Sequence, residues 1–302
     1  MEGIIQEAVL PHVGVMTFFL LTGVIINWIA YLGGFYKLPY DDDPFFSDHS
    51  SLSFLKLLGV FAVFLGINAV ITVLVRVYLL INKGIPIFKD IAIDEVLGPT
   101  FLGWMDLLFI FCSVASILFY SYLWGPSMWD ALAGKNGLSS VQRSLRDFGM
   151  GVLALVICYP LVNFFNEILE VVFEIFHIPP IEQVPVEKIV AIRDNPSLFL
   201  VTSLSVLFLV PFAEEILFRG YLQTWIKQKL GRFSGIVLTS LIFAFFHYAD
   251  KQGIRNVQFI GTLFVLSCFL GYVKERQQSI WAPFGLHAAF NSIALAAIYF
   301  KV

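Results

Sequence analysis

The chain has 302 residues, of which 58% are apolar, 16% aromatic and only 14% Asp, Glu, Lys or Arg. Soluble domains carry roughly 25% charged residues, so the composition excludes a soluble globular enzyme and a disordered chain. The net charge of −3 provides no basic field for nucleic acid, and no nucleic-acid partner is expected.

The few charges are spaced so as to leave eight gaps. Residues 8–36, 57–75, 107–129, 148–166, 195–213, 233–249, 256–273 and 277–300 contain no Asp, Glu, Lys or Arg. A membrane-crossing helix needs about 20 mostly apolar residues. A lipid-exposed backbone is satisfied only in helices or closed barrels, and these runs lack the alternation of barrel strands. The chain therefore reads as an all-α polytopic membrane protein with about eight transmembrane helices. Its partner is the lipid bilayer, as a multi-pass protein of the cell membrane in a prokaryote or of the endoplasmic reticulum in a eukaryote.

The first run follows only acidic charges, Glu2 and Glu7. It is also too long for a signal h-region, so it reads as a true span. Asp41, Asp42 and Asp43 read as a solvated turn. In the fourth run and beyond it, Asn163, Glu167, Glu170, Glu174 and His177 share one helical face. That face reads as the side on which the helix leaves the membrane, with a hydrated entrance as the sharper alternative. Pro179, Pro180, Pro185 and Pro196 oppose a continuing helix. They make 177–196 a linker within one integral membrane domain. Before it lies an N-terminal membrane region of four spans (1–178), and after it a catalytic module of four spans (197–302). Leaving aside Arg76 and Arg219, loops after odd-numbered spans carry ten Lys and Arg, against seven in the termini and even loops. This slight excess puts the odd loops in the cytoplasm. Cys112, Cys158 and Cys268 all lie in apolar runs, so no disulfide framework is expected.

Ionisable groups inside a membrane are costly and mark function. The second half holds three such places. Glu214 and Glu215 follow an apolar run without a break, and Arg219 lies four residues after Glu215. On a helix Glu215 and Arg219 pair, which leaves Glu214 without a counter-ion in its own helix and free for proton chemistry. His247 ends the sixth run. His287 and Asn291, four residues apart, share one face in the eighth. Each alone also suits helix packing or an interface. Together they supply a base, a second base or polariser, and a pair of donors.

That set suits peptide-bond hydrolysis. Glu214 takes a proton from water, and His247 shares or orients that water. His287 and Asn291 stabilise the oxyanion, while Arg219 holds Glu215 in a supporting role. A zinc reading competes, with Glu214, His247 and His287 as ligands. No HExxH motif is present, and Asn291 is a poor zinc ligand, so no cofactor is the preferred reading.

The patterns Glu214-Glu215-x-x-x-Arg219, Phe243-x-x-x-His247 and His287-x-x-x-Asn291 resemble, in order and spacing, the three motifs of the CPBP intramembrane proteases. That family includes the CAAX prenyl endoproteases of the Ras-converting-enzyme type and the bacteriocin-related Abi proteins. The resemblance covers about residues 198–300. It implies an eight-helix membrane endopeptidase with Glu214 and His247 activating water, His287 and Asn291 binding the oxyanion, and Glu215 and Arg219 in support. It leaves the metal question open. The implied partner is a membrane-anchored or membrane-embedded peptide or protein, with prenylated CaaX proteins as one class. Two alternatives stand beside it: a non-catalytic membrane immunity or binding protein, and a proton-coupled transporter, since intramembrane Glu and His serve ion pathways equally well.

Overall fold

A computed structural model describes residues 2–39, 52–89, 93–124 and 138–300. Asp41, Asp42 and Asp43 lie outside these residues, as do the loop charges Lys135 and Lys301. All regular structure among the described residues is helical. In chain order the α-helices are α1 (Glu2–Leu32), α2 (Phe54–Lys83), α3 (Ile93–Val96), α4 (Pro99–Trp124), α5 (Leu138–Ile175), α6 (Val184–Ala191), α7 (Pro196–Leu204), α8 (Val210–Glu214), α9 (Thr224–Phe245), α10 (Asn256–Gln277) and α11 (Trp281–Phe300). Two π-helical stretches, Ser205–Leu209 and Glu215–Gln223, flank α8, and a 3-10 turn, Asp250–Arg255, leads into α10.

Local chemistry sets several of these ends. At the start of α2 the Ser53 side chain accepts the Lys56 N–H, and at its end Gly84 takes φ 64° while its N–H reaches back to the last turn. Asn195 caps α7 by accepting the Leu198 N–H, with Pro196 in the first turn where no N–H is needed.

Among the described residues, seven helical stretches are long and apolar enough to cross a membrane. The eight charge-free runs map onto seven because most of 195–213 and most of 233–249 fall in Pro196–Phe245. That stretch is not straight. Gly231 takes φ 83° and ψ 168°, which ends the helical path and suits glycine alone. Beyond it the chain packs back on itself: a Cβ at Gly235 would lie 3.1 Å from Lys227 Cβ and 3.2 Å from the Gln223 carbonyl. The two runs are therefore opposed limbs of one stretch. Large apolar side chains such as Phe18, Trp28, Leu55, Phe111 and Phe119 point outward, which is the pattern of helices solvated by lipid. The protein is an integral, multi-pass membrane protein.

Two apolar cores hold the bundle. One joins Leu57, Val60, Ile110 and Ile117 to Ile216, Leu217, Phe218 and Phe243. The other joins Ala154, Cys158 and Val162 of α5 to Leu266, Leu270 and Leu286. Helices from both ends of the chain thus enclose the segment carrying Glu214.

Helices α5 and α11 cross at backbone contact. A Cβ on Gly151 would lie 1.9 Å from the Ala282 carbonyl oxygen, and one on Gly285 would lie 2.2 Å from that of Phe148. Gly285 is two residues before His287, so this crossing sets the depth of that imidazole. Gly285→Ala is expected to lower stability by about 1–3 kcal/mol through overpacking, read as a fall in thermal midpoint in detergent. Gly149→Ala, where a Cβ meets nothing within 4 Å, serves as the control and should show no fall.

The polar face of α5 differs from the solvated side expected of it. His12 of α1 places Nδ1 2.8 Å from Glu167 and Nε2 3.1 Å from Glu174. Glu170 accepts from Arg255 and from Gln258, each at 2.7 Å. Three of the stripe's members therefore tie α5 to α1 and to the start of α10.

Candidate active site

Glu214 is the last residue of α8, between the two π-helical stretches. Pro211 in α8 has no N–H to donate, which disturbs the α-helical ladder, and π-helical segments are a common way a helix absorbs such a defect. The disturbance does not separate Glu215 from Arg219, because four residues remain close to one turn. Arg219 Nε lies 3.2 Å from Glu215 Oε2, and Nη1 donates to Oε1 at 3.3 Å. Both side chains are 0% exposed. Glu214 differs, at 17% exposed, and His247 is 29% exposed. The expected asymmetry between the two carboxylates is thus present: one is sealed and paired, the other faces a more open space.

Three elements bring the histidines to Glu214. His247 follows α9 and sits 3.7 Å from Glu214 Oε1 through Nε2. His287, on α11, sits 3.8 Å from Glu214 Oε2 through its own Nε2. These separations exceed a direct hydrogen bond. The opposite ring nitrogens are committed. His247 Nδ1 lies 2.9 Å from the Phe243 carbonyl, which can only accept, so this nitrogen carries the hydrogen. His287 Nδ1 lies 2.8 Å from Glu215 Oε1. Glu215 Oε1 already accepts from Arg219 Nη1, so here too Nδ1–H donates. In their neutral forms both imidazoles therefore turn an Nε2 lone pair toward the Glu214 carboxylate. Three acceptor groups around one gap form a place for a donor, and water is the simplest one.

Behind this gap the guanidinium of Arg219 lies over the Phe243 ring, 4.4 Å from its centroid. Its Nη2 donates to Ser267 Oγ at 2.7 Å. Phe243 thus does two things: its ring covers Arg219 and its carbonyl fixes the tautomer of His247.

Asn291 stands one turn after His287, and its Nδ2 donates to the Val206 carbonyl at 2.9 Å. Val206 lies in the first π-helical stretch. The carboxamide thereby links α11 to the segment preceding Glu214 and retains a second N–H. Sequence reasoning passed over Ser267 because a hydroxyl within an apolar run resembles any small packing residue.

Among the described residues, no group of three or more His, Cys, Asp or Glu side chains is arranged to hold a metal ion. Glu214, His247 and His287 nevertheless converge on one gap, and they are the residues that would hold a metal ion.

The fold and site define a polytopic membrane protein with a carboxylate–histidine cluster enclosed by its helices. Residues 196–293 match the family described as type II CAAX prenyl endopeptidase Rce1-like, a stretch containing all six site residues. Over these residues, about a third of the chain, the protein is similar to the CAAX-type membrane proteases. No curated protein and no solved structure matches the chain.

Proposed function

We propose that the protein hydrolyses a peptide bond at or within the membrane with a water activated by Glu214 and His247, without a metal. The observation that carries this reading is the pair of Nε2 atoms, 3.7 and 3.8 Å from the two oxygens of Glu214. A water between them donates one hydrogen to the carboxylate and one to an imidazole. Glu214 then takes a proton as the water oxygen bonds to the carbonyl carbon. The remaining N–H of Asn291 stabilises the oxyanion, as does His287 once its Nε2 has taken a proton from solvent before the attack, a proton it gives back to solvent after product release, with Nδ1–H held by Glu215 throughout. Collapse breaks the C–N bond, and Glu214 returns its proton to the leaving amine.

The family name points to prenylated CaaX proteins as the substrate class, anchored in the same bilayer as the enzyme. In proteoliposomes, a farnesylated CaaX peptide is expected to be cleaved and its unprenylated counterpart cleaved poorly. Equal cleavage of both would remove prenyl recognition and leave the hydrolytic site standing. No cleavage of any membrane peptide, with proton or solute flux instead, would favour the transporter reading.

The zinc alternative is separable. Activity is expected to persist after exhaustive chelation, with no stoichiometric zinc by elemental analysis. Loss of activity on chelation and its recovery with zinc would overturn the metal-free reading.

A further inference from the structure

The residues that orient His287 include one with no assigned role. Ser267 lies in the middle of α10 and is fully buried. Its Oγ accepts Arg219 Nη2–H at 2.7 Å, and its carbonyl oxygen lies 3.4 Å from the same nitrogen. We infer that Ser267 is a positioning residue for the proposed hydrolysis, which fixes the guanidinium of Arg219 and, through Glu215, the direction of the His287 ring. The inference rests on the water-activating reading of Glu214.

A guanidinium is planar, with its donors in a fixed fork, so holding its corners and its face fixes its orientation. Phe243 covers the face at 4.4 Å. Glu215 Oε2 lies 3.2 Å from Nε as an ion pair without a hydrogen bond, and Oε1 accepts from Nη1 at 3.3 Å. That bond is long for a charge-assisted one, which runs about 2.7–2.9 Å. The Ser267 contact, at 2.7 Å, is the tightest polar contact the guanidinium makes among these. Without the hydroxyl, Arg219 keeps its ion pair but can pivot about it. Glu215 Oε1 accepts from both Arg219 Nη1 and His287 Nδ1. A pivot therefore moves the oxygen that anchors one end of the imidazole, and the opposite end, Nε2, swings relative to Glu214.

Two readouts test this on the full-length protein labelled with 15N-histidine in detergent micelles. The His287 Nδ1–H resonance, assigned by its loss in His287→Gln, reports the bond to Glu215 without needing substrate. Ser267→Ala is expected to displace it, and Ser267→Thr, which keeps the hydroxyl, to restore it. On the farnesylated CaaX peptide, Ser267→Ala is expected to lower kcat about tenfold with KM unchanged, the size of one lost hydrogen bond to a charged group. In an Arg219→Lys background, which lacks Nη2, Ser267→Ala should add nothing to either readout. An unmoved resonance with normal kcat would overturn the inference, as would a full tenfold loss in the Arg219→Lys background. Should Ser267→Ala fail to accumulate, Arg219→Lys alone must displace the same resonance, and a wild-type position would overturn it. If Glu214→Gln cleaves normally, the hydrolytic reading fails, while the resonance still decides whether Ser267 orients His287.

Discussion

Glu214→Gln is expected to lower turnover by about 10²–10⁴-fold, the usual contribution of a positioned general base, while the protein still inserts and purifies. The carboxamide has the shape of the carboxylate, but its NH2 donates where the carboxylate accepts a proton. Stability should change little. Glu214 is partly exposed, and its nearest imidazole nitrogens lie 3.7 and 3.8 Å away, beyond direct hydrogen bonds. Glu215→Gln differs in kind, because Glu215 is sealed against Arg219 and His287. Its loss should appear in stability as well as rate. Turnover in Glu214→Gln equal to wild type, measured on a cleaved membrane peptide, would sink the assignment of the base.

The second large effect is on folding. Arg219→Ala leaves Glu215 as an uncompensated charge with 0% exposure. Removing one partner of a buried ion pair typically costs about 3–5 kcal/mol. The lost contacts with Phe243 and Ser267 act in the same direction. A marked fall in thermal midpoint in detergent is therefore expected, together with loss of activity. Replacing both partners by methionine removes the stranded charge and should recover much of the stability. Activity should not return, since His287 Nδ1 would have lost its acceptor. An Arg219→Ala protein as stable as wild type would show that the pair does not hold the segment together.

These two outcomes separate what the sequence made legible from what it did not. Gaps between charges marked the apolar helices because a charge in lipid is expensive anywhere along a span. The same cost made Glu214, Glu215, Arg219, His247, His287 and Asn291 conspicuous. The Glu215–Arg219 pair was readable because it is local, one turn apart. The reversal at Gly231 was less readable as a count of stretches, since a single glycine joins both limbs. The π-helical register around α8 left no compositional mark beyond Pro211. Partners across the bundle were not readable at all. His12 meets Glu167 at a distance of 155 residues along the chain, and Asn291 meets the Val206 carbonyl 85 residues away. Such contacts depend on how helices pack, and spacing within one helix does not encode that.

The polar contacts of the site continue along α10. Arg219 pairs with Ser267, and one turn on, Gln223 donates to the Gly271 carbonyl at 3.0 Å and to Glu275 at 2.9 Å. Glu275 also meets Lys274 and Lys227, each at 2.9 Å, and Arg232 at 3.3 Å. Lys227 and Arg232 belong to α9, and Lys274 and Glu275 to α10.

The central claim is that Glu214 activates the attacking water without a metal. Its most direct test measures cleavage of a farnesylated CaaX peptide in matched proteoliposomes after exhaustive chelation, with wild type, Glu214→Gln and His247→Ala side by side. The account requires full wild-type turnover, a single new carboxylate at the cut site, and near-background rates in both variants. Chelated wild type without activity, or a Glu214→Gln protein that cleaves like wild type, would contradict it.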